Sequence, residues 1–68
     1  MVFGTVKMCN AAQGVVLVKP DAGTHDIVVQ LSLLERLGIK SLSLGQRVKC
    51  AVEADRHGRA AARDIQIV

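Results

Sequence analysis

The sequence predicts an all-β domain, and three observations carry that expectation. Short β-branched and aliphatic runs are separated by turn residues at close intervals, and no interior segment keeps an apolar period of 3.6 for the length a helix needs. Half of the 68 residues are hydrophobic and only Phe3 is aromatic, so Val, Ile, Leu, Ala and Met must build the core. A chain of this size is one domain at most, residues 1–68, with no room for separate catalytic and regulatory units or a large enclosed active site. Short strands leave edges open to pairing with other chains, and closing five of them into a small barrel hides those edges.

Each element follows from local pattern. Val2 to Cys9 alternates weakly and ends at Asn10, giving a first strand. Gly14 opens the run Val15 to Val18, and Lys19-Pro20-Asp21-Ala22-Gly23 stops it, Pro followed closely by Gly marking the turn. Ile27 to Gln30 reads as a third strand. Leu31 to Leu37 has room for one short helical turn that Gly38 terminates. After a loop over Ile39 to Gly45, Arg47 to Ala54 alternates polar with apolar, placing Val48, Cys50, Val52 and Ala54 on one face and Arg47, Lys49 and Glu53 toward solvent. Asp55 to Gly58 is a hairpin turn, and Ala60 to Val68 returns as the last strand with Ile65 and Ile67 inward.

Charge and cysteine content narrow the function classes. The formal charge is +3, and all of that excess lies in residues 35–68, so any electrostatic footprint for an anionic partner is C-terminal; ordinary solubilising surface charge is the competing account. Apolar stretches such as Val15 to Val18 and Leu31 to Leu34 fall far short of the roughly 20 residues that span a bilayer. With no export-type segment in view, Cys9 and Cys50 are expected as reduced thiols in a cytoplasm. His25, His57, Cys9 and Cys50 have no metal-ligand spacing, so neither a metal nor a cofactor is implied. Cys50 points into the barrel by alternation and Cys9 has no base beside it in sequence, which argues against a thiol enzyme. Asp21 and Asp26 flank a turn and are expected to cap backbone groups.

Gly4-Thr5-Val6-Lys7, Asn10, Gly14, Pro20-Asp21, Gly23, Asp26, Ser32, Ser41-Leu42 and Gly45-Gln46-Arg47-Val48 fall at a spacing that resembles the bacterial cold-shock protein family over essentially the whole chain. The resemblance implies a five-stranded antiparallel OB-fold barrel with one short helical turn after strand 3. It also implies a binding protein, not an enzyme, that takes single-stranded RNA or DNA on aromatic side chains flanked by lysines.

The residues depart from that family where it stacks bases. Its W-F-N reads Met8-Cys9-Asn10 here, its K-G-F-G-F-I reads Gln13 to Val18, and its V-F-V-H-F reads Ile27 to Leu31. The aromatic platforms and the stacking histidine are absent, the lysine of the second motif is Gln13, and Val16 stands in place of a glycine. Among these positions Lys7 alone keeps a phosphate-binding side chain. Stacking contributes about 1–3 kcal/mol per base, so the expected binding is weak, salt-dependent and poor in base discrimination. The residues expected to carry it are Lys7, Met8, Val15, Leu17, Val28, Gln30 and Leu31, with Lys19, Arg56 and Arg59 on phosphates. The competing reading makes Met8, Val15, Leu17, Val28 and Leu31 an aliphatic interface for a second copy or another protein.

Overall fold

The computed structural model describes residues 1–23 and 25–68. Strands β1 (Val2–Asn10), β2 (Val15–Pro20) and β3 (Ile27–Gln30) are followed by helix α1 (Leu31–Arg36), then β4 (Arg47–Ala54) and β5 (Ala60–Ile67). The strands close into a barrel in the order β1-β2-β3-β5-β4, with β4 returning to β1. This is the expected all-β barrel with one short helix after strand 3. The pairings are antiparallel except β3 with β5, which run parallel and share the single register pair Val28 and Ala61. That exception follows from topology: the chain crosses from β3 through α1 and β4 before β5 returns in the same direction as β3.

The core is wholly aliphatic apart from one thiol. Val6, Val16, Val18, Ile27, Val29, Val48, Cys50 and Ile65 fill the barrel as the period-two pattern places them, and Leu33, Leu34 and Leu42 join them from α1 and the loop after it. Burial pushes the Cys50 thiol above its ordinary range, with the nearby Asp64 charge adding to the effect, so the sulfur stays protonated and serves as a small apolar filler. Helix α1 ends where the sequence predicts. Gly38, at φ 74°, donates its N–H to Glu35 O, and Ile39 donates to Leu34 O, the paired bonds that a left-handed glycine makes possible at a helix end.

Barrel closure depends on β1, which pairs with β2 along one edge and β4 along the other. At Gly4 the approach is so close that an added Cβ would lie 2.6 Å from Val18 Cγ1 and 2.7 Å from Lys19 O. Past Gly4 the β1–β2 register shifts between Val6 and Met8, so Lys7 is an extra residue in the ladder. The loop preceding β4 extends the other edge: Gly45 N–H donates to Val6 O at 2.8 Å and Val6 N–H to Gln46 O at 2.9 Å. Outside the barrel, both guanidinium NH groups of Arg47 donate to the Asp21 carboxylate at 2.6 Å, and Arg47 Nη1 also reaches Thr5 Oγ1 at 3.0 Å, tying β4 to β1 and the end of β2.

Several expected orientations are corrected. Val52 is 38% exposed, Ala54 is exposed and Ile67 is 50% exposed, although alternation places them inward. The β4–β5 register shifts between Ala51 and Val52, with Arg63 as the extra residue. Val52 instead rims an open hollow with Val2, Pro20 and Ile27. Lys49 is half-buried instead of free in solvent, its ammonium lying over the Phe3 ring. Asp21 and Asp26 each accept from a cation, Arg47 and Lys7 respectively, and neither caps a backbone group among the described residues. Asp55 does the capping, accepting the N–H groups of His57 at 2.8 Å and Arg59 at 2.9 Å in the β4–β5 turn.

Two measurements check this account. Gly4→Ala is expected to lower the free energy of unfolding in urea by about 1–3 kcal/mol, because the methyl meets the backbone carbonyl of Lys19, which cannot rotate away. Acid is expected to destabilise the barrel for a stated reason. The Arg47 hydrogen bonds hold Asp21 below the ordinary carboxyl value of 3.8, and the Arg59 N–H, followed by that of His57, does the same for Asp55. A carboxyl with a lowered folded pKa contributes its stability fully above the unfolded value and loses it as pH falls through the folded value. The urea midpoint should therefore drop as pH falls below about 4, and Asp21→Asn should flatten that drop while lowering the midpoint at neutral pH.

Candidate nucleic-acid interface

The outer wall of β1, β2 and β3 gathers most of the sequence-predicted residues. Register places Met8 beside Leu17 and Leu17 beside Val28, forming one apolar row across three strands that continues to Ala61 of β5. A second row runs Asn10, Val15, Gln30, and a third pairs Thr5 with Lys19. The bulge at Lys7 shapes this wall: because one residue is extra between Val6 and Met8, Lys7 and Met8 are both exposed although adjacent in sequence. Strict alternation would have turned one of them inward.

The wall is flatter than an exposed aliphatic patch. Met8 is 43% exposed, whereas Val15, Leu17 and Val28 are half-buried among their neighbours. Leu31 packs partly against the core and faces a hollow of about 230 Å³ that also includes Cys9, Val15 and Lys40, at the edge of the wall. Cys9 Sγ lies 3.6 Å from Leu42 O, and both thiols are free.

Charge rims the wall unevenly. Lys7 Nζ sits 2.8 Å from Asp26 Oδ2. An exposed pair of this kind contributes roughly 0–1 kcal/mol, so a phosphate can compete for the lysine at little cost. Lys19 is exposed beside Thr5 and forms no ion pair among the described residues. Arg59 lines a groove of about 460 Å³ with His25, Asp26 and Val28, which brings it to the end of the apolar row; its Nε also bonds Asp55 at 3.2 Å. Arg56 stands in the β4–β5 turn, exposed and away from that groove's lining.

A second hollow of about 220 Å³ opens beside the first, with Val28, Gln30, Arg36 and Arg63 among its walls. Sequence reasoning did not place Arg36 here. The one available signal was the run Ala60-Ala61-Ala62, whose small side chains leave space where β5 passes β3. Among the described residues no three metal-ligating side chains gather, and no helix is long and apolar enough to cross a membrane.

Comparison with known proteins agrees with this architecture. The model of the 'Cold-shock' DNA-binding domain matches residues 2–68. The chain is 37% identical over 67 residues to a probable cold shock protein of Sinorhizobium fredii, covering 97% of each. It is 36% identical over 64 residues to a cold shock protein of Rhizobium meliloti, covering 93% of each. A cold shock-like protein of Escherichia coli is 33% identical over 64 residues, covering 94% of this chain and 93% of its own. A closed five-stranded barrel matched along its length by that model and by these relatives makes the chain a member of the cold-shock domain family.

Proposed function

We propose that this protein binds single-stranded nucleic acid on the outer wall of β1, β2 and β3, as a binding protein and not a catalyst, in a cytoplasm. The observation that carries the reading is the apolar row Met8, Leu17 and Val28 with Lys7, Lys19 and Arg59 around it, in a chain whose family model is that of a DNA-binding domain. Bases lie against methyl and thioether groups by dispersion, and the cations track phosphates.

Energetics set the character of the complex. Without a π face each base loses most of the roughly 1–3 kcal/mol that stacking supplies, so the electrostatic contribution dominates. Affinity then resembles that of non-specific binding, with Kd on the order of 1–100 μM at physiological salt. Base identity matters little, because Gln30 is the only wall residue in the two strand-spanning rows besides Asn10 that can read a base edge by hydrogen bonding.

Anisotropy of labelled single-stranded DNA and RNA, titrated at several salt concentrations, tests this. Binding should weaken steeply with salt, and Lys7→Ala and Arg59→Ala should each reduce the slope of log K against log salt by about 0.7. Slopes unchanged by both substitutions would remove these residues from the site. No binding up to about 100 μM at low salt would refute the function and leave the wall as a surface for another protein chain.

A further inference from the structure

The chain's one aromatic side chain stands outside the wall just described, yet on the same strand. Phe3 of β1 is 45% exposed and lies opposite Lys49 of β4, whose Nζ is 5.9 Å from the ring centroid. Phe3 is absent from the aliphatic core, whereas its neighbour Val2 packs against that core. Two residues along β1, Thr5 lies between Lys19 on β2 and Arg47 on β4, so a row of Lys19, Thr5 and Arg47 joins the two walls across β1. The outer surface of β1 therefore runs without a break from Met8 through Lys7 and Thr5 to Phe3, about 17 Å at roughly 3.3 Å per residue.

The chemistry along that line suits a nucleic acid strand. Phe3 supplies the π face that Met8, Leu17 and Val28 lack, and every base has a complementary face. Lys49 forms no ion pair among the described residues. Asp21, the carboxylate in the joining row's contacts, is taken up on both oxygens by Arg47. Asp64 of β5 opposes Ala51, two residues past Lys49, and accepts the Ile65 N–H. The cation over the ring marks a position from which an ammonium reaches a phosphate when a base takes its place.

We propose that Phe3 and Lys49 form a stacking and phosphate subsite for single-stranded nucleic acid, reached by a strand that follows β1 from the Met8 row across Thr5. This rests on the nucleic-acid reading above and extends it to a second wall of the barrel. The subsite takes any base and is expected to supply the one aromatic contact in the complex.

Labelled oligothymidylate long enough to cover both walls is the probe, read by anisotropy against wild type, Phe3→Leu, Phe3→Trp and Lys49→Ala, with urea midpoints confirming that each variant is folded. Phe3→Leu keeps apolar volume and removes the π face, so binding should weaken about fivefold or more, the low end of one stacking contact. Phe3→Trp should bind at least as well as wild type, and its indole fluorescence, unique in a chain with no other Trp and no Tyr, should be quenched on titration. Lys49→Ala should lower the salt slope by about 0.7. Wild-type affinity in Phe3→Leu, or an unquenched Phe3→Trp at saturating oligonucleotide, would overturn the subsite and leave the wall of β1, β2 and β3 standing as the binding face. An absence of binding by the wild type at low salt would overturn both.

Discussion

Everything in this barrel depends on β1 serving two edges at once. A sheet of five short strands closes only if every strand pairs on both sides, and β1 does so through contacts that constrain it closely. Gly4 admits the backbone of β2 to a distance no side chain tolerates, and the loop before β4 bonds Val6 on the other edge. The β1–β2 register adjusts at Lys7, the extra residue between Val6 and Met8. That adjustment also determines function-bearing geometry, because it turns Lys7 and Met8 outward together. Closure and the composition of the outer wall are therefore one constraint seen from inside and outside.

Much of the architecture was legible in the sequence, and the reason is local. Strands β3 and β4 begin and end where apolar alternation and turn residues place them, α1 stops at Gly38, and the inward residues of β2 and β3 are Val16, Val18, Ile27 and Val29 as period two requires. What could not be read is what depends on pairing. No residue type announces a bulge, so the displacement of Lys7 and Arg63 and the exposure of Val52 were hidden. Asp21 and Asp26 look like turn caps in sequence; their partners, Arg47 and Lys7, are 26 and 19 positions away and become neighbours only on closure.

The candidate site shows the same division. Membership of Val15, Leu17, Val28 and Gln30 in one wall follows from alternation, Met8 joins them through the bulge at Lys7, and the register orders all five into rows. Arg59 reaches the wall through the groove beside β3, a consequence of how the β4–β5 hairpin folds back. Arg56, two residues earlier in the turn than Gly58, shares the composition but not the position. Leu31 leans toward the core because it begins α1, its N–H donating to Gly14 O at 2.9 Å. The barrel is built without a buried aromatic ring: its core cluster is aliphatic apart from Cys50.

The contact between β3 and β5 has a dynamic consequence. Four of the five junctions around the barrel are antiparallel ladders of four or more register pairs, and this one rests on Val28 with Ala61 alone. Local opening is favoured at the junction with the fewest backbone bonds, so amide exchange is expected to be faster along this seam than along β1. Both hollows beside Val28 lie on that seam. The weakest junction of the barrel thus faces the side where Arg36, Arg59 and Arg63 stand with Glu53 and Asp55.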